Sequence, residues 1–262
     1  MSEAFAYKSL ESYYNESTSG GAFTRIVKSF FQKGPGIVYG AVLDEKLNVR
    51  HARVATFEEC EQFRKSKYVK SSLNNVFQYV ESDIKAGNRV LFSGTPCQVN
   101  ALNVYVKRHK LDAQKLITVD IICNGAPNSR VWADFVTWLE KKMNRKLVHF
   151  SFRTKGDENN PYLTKAVFDD KTEIIDSPLT ASYNRLFLKK LIIPKACFTC
   201  PFKTEDRVSD ITLGDYWGAD NIFSDPFLQN GVSLVLTNTE QGKRTFCAVE
   251  NDNGILLPRE SK

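Results

Sequence analysis

The spacing of apolar residues along the chain predicts its main helices and first strand. Apolar residues recur every three or four positions over Leu73–Ala86 and again over Ser129–Asn144, which is typical of helices with one buried face. The apolar run Ile37–Leu43 follows the turn Gly34-Pro35-Gly36 and predicts a buried strand. The apolar positions of the two helices are Leu73, Val76, Phe77, Val80, Ile84, Val131, Phe135, Trp138 and Leu139.

The segment between these helices predicts a strand, a crossover helix and a second strand. A short apolar strand, Arg89–Phe92, leads into Ser93-Gly94-Thr95-Pro96-Cys97, and a helix is expected over Pro96–Arg108. A second apolar strand, Leu116–Ile122, ends at Cys123-Asn124-Gly125. Such units are parallel and right-handed, so the carboxyl ends of both strands meet at one edge of the sheet. If the two strands are neighbours, Cys97 and Cys123 emerge at that edge, where open α/β sheets bind ligands.

Further strands complete an α/β prediction: a mixed, partly parallel central sheet with flanking helices and an irregular cysteine-containing region. The whole chain, 1–262, is expected to form a single domain, with 148–195 as a candidate antiparallel subregion. The remaining segments of strand character are Val148–Arg153, Leu163–Asp169, Glu173–Ile175, Asp210–Tyr216 and Val232–Thr237.

Composition places the chain among globular proteins. Of its 262 residues, 42% are hydrophobic and 25% charged. The first residues form no apolar signal segment, and no later run is long enough to span a membrane, so a cytoplasmic location is expected. The net charge of +6 suits anionic cofactors or an acidic partner, but the basic residues form no run or aromatic-basic pattern typical of a nucleic-acid surface.

Six cysteines without an export signal argue against a disulfide framework and towards metal or redox roles. Cys197 and Cys200 form a CxxC pair followed by Pro201, and Cys97 and Cys123 raise the count to four thiolates. Four thiolates suit a [4Fe–4S] cluster or a structural zinc. Spacing leaves cluster, zinc and unligated thiols open, although two widely separated single cysteines favour the cluster.

The two remaining cysteines, Cys60 and Cys247, are expected to be packing residues, because free cysteine is often buried. The three histidines lie far apart in the sequence and predict no Cys–His or Ser–His–Asp arrangement.

Three polar segments are candidates for ligand binding. Ser17–Thr24 opens an amphipathic helix with two glycines, which indicates either an anion site or an ordinary helix start. Ser66–Ser72 contains Lys67, which could neutralise phosphate, and Tyr68, which could stack on a ring. Asp210 and Asp215 could act as acid and base, but such acids more often cap backbone groups or pair with an arginine such as Arg207.

Six motifs together resemble the coenzyme F420 hydrogenase/dehydrogenase beta subunit family, which includes formate dehydrogenase beta subunits and chlorophyll hydroxymethyl reductases. They occur in the family's order from about Ser17 to Thr239. The motifs are STSGGAFT, SKYVKS, LFSGTPCQVNAL, VDIICNGAPNS, CFTCPF and RVSDITLGDYWG.

The resemblance implies an oxidoreductase that binds FAD and a [4Fe–4S] cluster. Carried over by motif, the cluster ligands would be Cys97, Cys123, Cys197 and Cys200. The FAD site would comprise Ser19, Gly20, Gly21, Thr24, Lys67, Tyr68, Ser71, Ser93, Gly94 and Thr95. Coenzyme F420 is a candidate substrate, although no residue is specific to a deazaflavin.

Two departures from the family's pattern affect function. The cysteine-dense, ferredoxin-like segment that many members carry is missing, since the first cysteine is Cys60, so a ferredoxin-like or other redox protein subunit is the expected electron partner. The chain has Cys123-Asn124-Gly125 where the family often has CHG, which removes any role for that histidine but keeps the thiol. The alternative function is a non-catalytic interaction module stabilised by zinc or a cluster.

Overall fold

A computed structural model of the protein describes residues 2–156, 163–222, 231–247 and 254–258. It contains a mixed eight-stranded sheet and a separate three-stranded sheet. The described strands are β1 (Glu3–Ser9), β2 (Ile37–Leu43), β3 (Val49–Val54), β4 (Val90–Gly94), β5 (Leu116–Ile121), β6 (Leu147–Thr154), β7 (Leu163–Phe168), β8 (Glu173–Ile175), β9 (Ile211–Asp215), β10 (Ser233–Thr237) and β11 (Gly254–Pro258). The described α-helices are α1 (Ala22–Gln32), α2 (Val76–Lys85), α3 (Pro96–Arg108), α4 (Ser129–Met143), α5 (Ser182–Leu188) and α6 (Glu240–Cys247).

The predicted α/β class is confirmed, and so is the predicted strand–helix–strand unit. The large sheet has the order β11-β1-β10-β9-β5-β4-β2-β3. Strands β2, β4, β5 and β9 pair in parallel, whereas β3, β10, β1 and β11 pair antiparallel to their neighbours. Gly94 at the end of β4 is in register with Asp120 near the end of β5. The two strands are therefore direct neighbours.

Strand β4 begins with three consecutive apolar residues because helices cover both faces of the sheet. In β4, Leu91 packs with α1 and α6, whereas Val90 and Phe92 pack with α2 and α3. All three residues are fully buried. This double coverage explains why β4 shows no alternation of apolar and polar residues.

The small sheet spans β6–β8, in which β6 pairs with β7 and β7 with β8, all antiparallel. It covers the first part of 148–195, whose standing as a subregion stays a prediction. Its inner face packs against α4 and α5 around Trp132 and Phe150. The indole of Trp132 also donates to the Leu47 carbonyl, 2.6 Å away, and so links α4 to the turn before β3. Whether 1–262 forms one domain stays a prediction.

Sequence patterns did not predict β1, β3, α5, α6 or β11. Strand β1 lies inside the sheet between β10 and β11, yet its sequence EAFAYKS contains two charged residues. Strand β3, VRHARV, is an edge strand whose arginines point outwards. No helix in the described part of the chain has the length and apolar character needed to cross a bilayer.

Gly20 allows β1, β10 and the start of α1 to meet. A Cβ at this position would lie 2.0 Å from the Tyr7 carbonyl oxygen and 2.6 Å from the Ser233 nitrogen. The Gly20 nitrogen also donates to Ser233 Oγ at 2.9 Å. The glycine is therefore required by packing, independently of any ligand.

Replacing Gly20 with alanine should lower the free energy of unfolding by about 3 kcal/mol, because the methyl group would press on backbone atoms that cannot rotate away. Chemical denaturation would measure the loss. The control is Ser19→Ala, which removes one hydrogen bond from Ser19 Oγ to the Val232 carbonyl and should cost about 1 kcal/mol. Equal stability of Gly20→Ala and the parent protein would contradict the packing assignment.

Candidate functional site

The candidate site lies at the carboxyl edge of the parallel strands. Cys97 occupies the first turn of α3, directly after β4, and Cys123 follows the end of β5. Gly20 and Gly21 reach the same edge, since the Ser9 nitrogen at the end of β1 donates to the Gly20 carbonyl at 2.9 Å. The predicted meeting of Cys97 and Cys123 at one edge follows from the observed parallel pairing.

Cys123, Cys197 and Cys200 are half-buried, whereas Cys97 is exposed. Burial raises the pKa of the Cys123 thiol, and the thiols of Cys97, Cys197 and Cys200 raise it further. The Gly125 nitrogen donates to Cys123 Sγ at 3.4 Å, and this hydrogen bond has the opposite effect, since it lowers the pKa of the thiol. The other three thiols are therefore close enough to Cys123 for their charges to affect it. Among the described residues, however, no three His, Cys, Asp or Glu side chains converge closely enough to hold a single metal ion.

The CFTCPF segment is held in place by contacts on either side of its cysteines. Before it, the Ile193 side chain packs against Gly125, with Cδ1 3.0 Å from where a Cβ of Gly125 would lie. Gly125 has a φ of +113°, a conformation that glycine adopts without strain. The Cys197 nitrogen donates to the Pro194 carbonyl at 2.9 Å. The contact with Gly125 keeps the CxxC pair beside the Cys123 turn.

After the CxxC pair, Arg207 fastens the chain to the end of β5. Its Nη2 lies 2.9 Å from Asp120 Oδ2 and donates to the Ile121 carbonyl at 3.2 Å. Its Nη1 donates to the Phe202 carbonyl at 3.2 Å. Both charged side chains are nearly inaccessible, at 8% for Arg207 and 0% for Asp120. Burial raises the pKa of Asp120, while Thr212 and Arg207 lower it.

The two acids considered for acid–base chemistry have structural partners. Asp210 Oδ2 accepts hydrogen bonds from the nitrogen and the hydroxyl of Thr118, both at 2.8 Å. Asp215 is paired with Arg153 of β6. The expected structural role is therefore observed, but Arg207 pairs with Asp120 and with neither of these acids.

The SGG segment combines packing with an uncapped helix end. Gly21 has a φ of +88° and provides no side-chain cap, so the first-turn N–H groups of α1 have no such partner. Thr24 is buried, and its Oγ1 accepts from Arg64 Nε at 3.3 Å. An uncapped helix start at a ligand-binding edge is suited to an anion.

Lys67 belongs to the loop of Arg64, whose side chain contacts Thr24 in the first turn of α1. Its Nζ donates to the carbonyls of Arg64, at 2.7 Å, and Gln62, at 3.0 Å. Burial, and then the neighbouring charge of Lys65, lowers the pKa of Lys67 to about 7. The side chain thus braces its loop and changes its protonation near neutral pH.

The remaining predicted residues of the flavin site are largely engaged with protein groups. Tyr68 stacks on Phe187, with ring centroids 4.5 Å apart, so the ring it contacts is a protein side chain. Ser71 is buried, and its hydroxyl accepts from Gln98 Nε2 at 3.0 Å. Gln98 Oε1 in turn accepts from the Thr95 nitrogen at 3.0 Å, which joins the SKY segment to Ser93-Gly94-Thr95.

His51 is a site residue that sequence patterns did not reveal. Its Nε2 donates to the Ser93 carbonyl at 2.8 Å, and its ring stacks on Phe92 at 5.0 Å. Burial lowers the pKa of His51 to about 4, so the ring is neutral and fixes the end of β4 at Ser93. Because β3 was not predicted, nothing in the sequence indicated this contact.

A basic cluster beside β1 was not predicted either. Lys155 Nζ donates to the Tyr14 carbonyl at 2.5 Å, and Lys8 Nζ lies 4.9 Å from the centre of the Tyr14 ring. Burial, with the charges of Lys8 and Arg153, lowers the pKa of Lys155 to about 7. Lys155 is therefore only partly protonated at neutral pH, and Arg153 is paired with Asp215.

Of the two cysteines expected to be packing residues, only one is buried. Cys60 is 4% exposed, and burial raises the pKa of its thiol to about 12. The expectation for Cys247 is wrong, because this residue is exposed at the end of α6. The apolar face of α6 is formed instead by Phe246, which is fully buried.

Comparison with protein families decides the identity of this fold. Residues 87–260 match the family described as the C terminus of the coenzyme F420 hydrogenase/dehydrogenase beta subunit. The chain belongs to this family. The match confirms the resemblance inferred from the motifs, and it covers the four motifs that lie after Gly87, including all four candidate ligand cysteines.

A solved structure shares the fold of this family member over almost its whole length. It is a chain of the xenon-derivatised F420-reducing [NiFe] hydrogenase complex from Methanosarcina barkeri, with a TM-score of 0.64 and 15% sequence identity. The superposition covers 98% of this chain and 81% of that chain. Comparison with curated protein sequences gave no match.

Replacing Arg207 with methionine should lower the free energy of unfolding by about 3 kcal/mol, because Asp120 would remain buried without its ion-pair partner. Hydrogen exchange should accelerate at 200–206, where the segment loses its anchor. Denaturation and exchange mass spectrometry would measure both effects. The control is Arg108→Met, which removes an exposed guanidinium that makes no ion pair within the described ranges. Similar results for both variants would contradict the anchoring role.

Proposed function

We propose that this member of the F420 hydrogenase/dehydrogenase beta subunit family is a flavin- and [4Fe–4S]-dependent oxidoreductase. It would pass electrons between a hydride carrier or substrate and a protein electron partner. The observation that carries the proposal is geometric: Cys97 and Cys123 follow neighbouring parallel strands at one edge, and the Ile193–Gly125 contact holds the CxxC segment beside Cys123. The same edge has an uncapped helix start.

The donor set is suited to a cluster. Its four thiols come from three separate segments, and Cys97, Cys123, Cys197 and Cys200 would hold the group. One CxxC pair with two widely separated single cysteines at strand ends favours a cluster over a structural zinc, which more often uses two CxxC pairs.

The polar part of the edge is suited to the pyrophosphate of FAD. The free N–H groups of the first turn of α1 and the Lys67 ammonium would hold the anion. Ser93 and Thr95 would be positioned beside it, because His51 and Gln98 fix their backbone. When bound, a flavin supplies the conversion between two-electron hydride transfer and the one-electron steps that a cluster accepts.

Coenzyme F420 is proposed as the candidate hydride carrier. The family's description and the similar structure both refer to F420, which supports this choice.

Purification without oxygen, followed by assays of flavin, iron, acid-labile sulfide and zinc, tests the proposal. We expect about four iron and four sulfide per chain and no zinc, as a [4Fe–4S] cluster requires. A colourless protein that contains zinc and no flavin would favour the alternative, a non-catalytic interaction module, and would overturn the oxidoreductase.

Replacing Cys123 with alanine should remove the iron and leave the circular dichroism spectrum unchanged, because the cysteine lies in a loop after β5 rather than in the core. The matched control is Cys247→Ala, which removes an exposed thiol at the far end of the sequence and should retain full iron content. Retained iron in Cys123→Ala would refute the proposed ligand set.

Binding of FAD should take up a proton at pH 8 through Lys67. With a pKa of about 7, the free lysine is mostly neutral at that pH, and a bound phosphate raises its pKa. Calorimetry in two buffers of different ionisation enthalpy measures the uptake, which should disappear in Lys67→Met and persist in Lys70→Met, where the lysine is exposed. Equal uptake in parent and Lys67→Met would contradict this assignment.

A further inference from the structure

The segment that carries the CxxC pair has only basic charges. From Ser177 to Thr204 it contains no acidic residue and five basic ones. All five basic side chains are exposed, and none forms an ion pair with a residue that the structure describes. They are Arg185, Lys189, Lys190, Lys195 and Lys203. Other stretches of the chain, 84–111 and 141–156, also lack acidic residues, but they do not carry the CxxC pair.

Large apolar side chains are exposed among these charges. The exposed fractions are 62% for Leu188, 67% for Leu191 and 57% for Phe198. Next to them, α4 and α5 form an apolar groove of about 310 Å³. The groove is lined by Val131, Phe135, Trp138, Ser182, Tyr183, Leu186 and Ile192. An apolar centre with a charged rim is the usual anatomy of a protein-binding surface.

This surface adjoins the four thiols. Cys197 and Cys200 belong to it, and Ile193 packs against Gly125, two residues after Cys123. A protein seated on the surface would therefore lie close to the sulfur atoms. Proximity of this kind is what electron exchange between two proteins requires.

We propose that the face formed by 185–203 and the groove beside α4 is the docking surface for an acidic electron-transfer protein. The inference rests on the proposed function, because it assigns the place where the electron partner binds. The partner would be a small protein with its own iron–sulfur cluster and a carboxylate-rich surface around it. Its carboxylates would face the five basic residues, and an apolar side chain would enter the groove.

The charge pattern favours this partner over a second copy of the chain. A symmetric contact through this face would bring five positive side chains against the same five of the other copy. The recessed apolar groove between Phe135 and Leu186 favours a protein, which can insert a single side chain, over a nucleic acid or a flat lipid surface.

Steering by charge predicts a strong dependence on ionic strength. Opposite charges on two partners raise the association rate by about 10-fold or more at low salt, and screening removes the effect near 1 M. The apolar contacts should depend little on salt. The two contributions can therefore be separated by mutation and by titration with sodium chloride.

The test measures binding of a purified acidic ferredoxin with two [4Fe–4S] clusters to the anaerobically prepared chain. We expect Lys189→Glu/Lys190→Glu to weaken binding at least about 10-fold at low salt, with little difference from the parent protein near 1 M salt. Leu188→Ser/Leu191→Ser should weaken binding at all salt concentrations.

The matched control is Lys107→Glu/Lys110→Glu. It changes the net charge by the same amount, but beside Leu116, at the opposite edge of the sheet. That control should bind within about 2-fold of the parent protein, since its charges lie far from the docking face.

The inference would be overturned if the ferredoxin did not bind or if both lysine pairs weakened its binding equally. It would also be overturned if Lys189→Glu/Lys190→Glu lost binding to anionic vesicles or RNA but kept its binding to the ferredoxin. Iron and flavin are assayed in the same samples, so failure of the proposed function is seen separately. A chain with full iron and flavin but unchanged ferredoxin binding in both lysine variants would refute the docking surface alone.

Discussion

The buried ion pair between Asp120 and Arg207 is the interaction on which the candidate site depends. Asp120 belongs to β5, and Arg207 belongs to the irregular segment that follows the CxxC pair, 87 residues later. Arg207 also binds the carbonyls of Phe202 and Ile121, so one guanidinium ties the cysteine loop to the strand that leads to Cys123. Without it, the CxxC pair would be held to this edge chiefly by the contact between Ile193 and Gly125.

The rest of the site is organised by similar contacts between loops and the sheet edge. His51 fixes the end of β4 at Ser93, Gln98 joins Thr95 to Ser71, and Lys67 braces the loop of Arg64. These contacts hold the backbone of the edge in position. The edge can thus combine a thiol-rich side with a side suited to an anion.

The sequence predicted the parts of the fold that local patterns encode. In the unit β4-α3-β5, the strands are recognisable as short apolar runs and the helix follows directly from the first strand. Parallel pairing of the strands then placed Cys97 and Cys123 at one edge of the sheet. Strand β3 escaped prediction because edge arginines interrupt its apolar residues. The pairs Asp120–Arg207 and His51–Ser93 could not be predicted, since each joins residues far apart in sequence that carry no mutual pattern. The exposure of Cys247 depends likewise on which face of α6 packs.

The central claim, that four cysteines share one cluster, is tested most directly by alkylating the anaerobically prepared protein and mapping each thiol by mass spectrometry. Cys97 is exposed in the chain itself, so only a bound group would protect it. We expect Cys247 to react while Cys97, Cys123, Cys197 and Cys200 are protected together, and all four to react once a chelator removes the iron. Alkylation of Cys97 in protein that retains its full iron content would contradict the account.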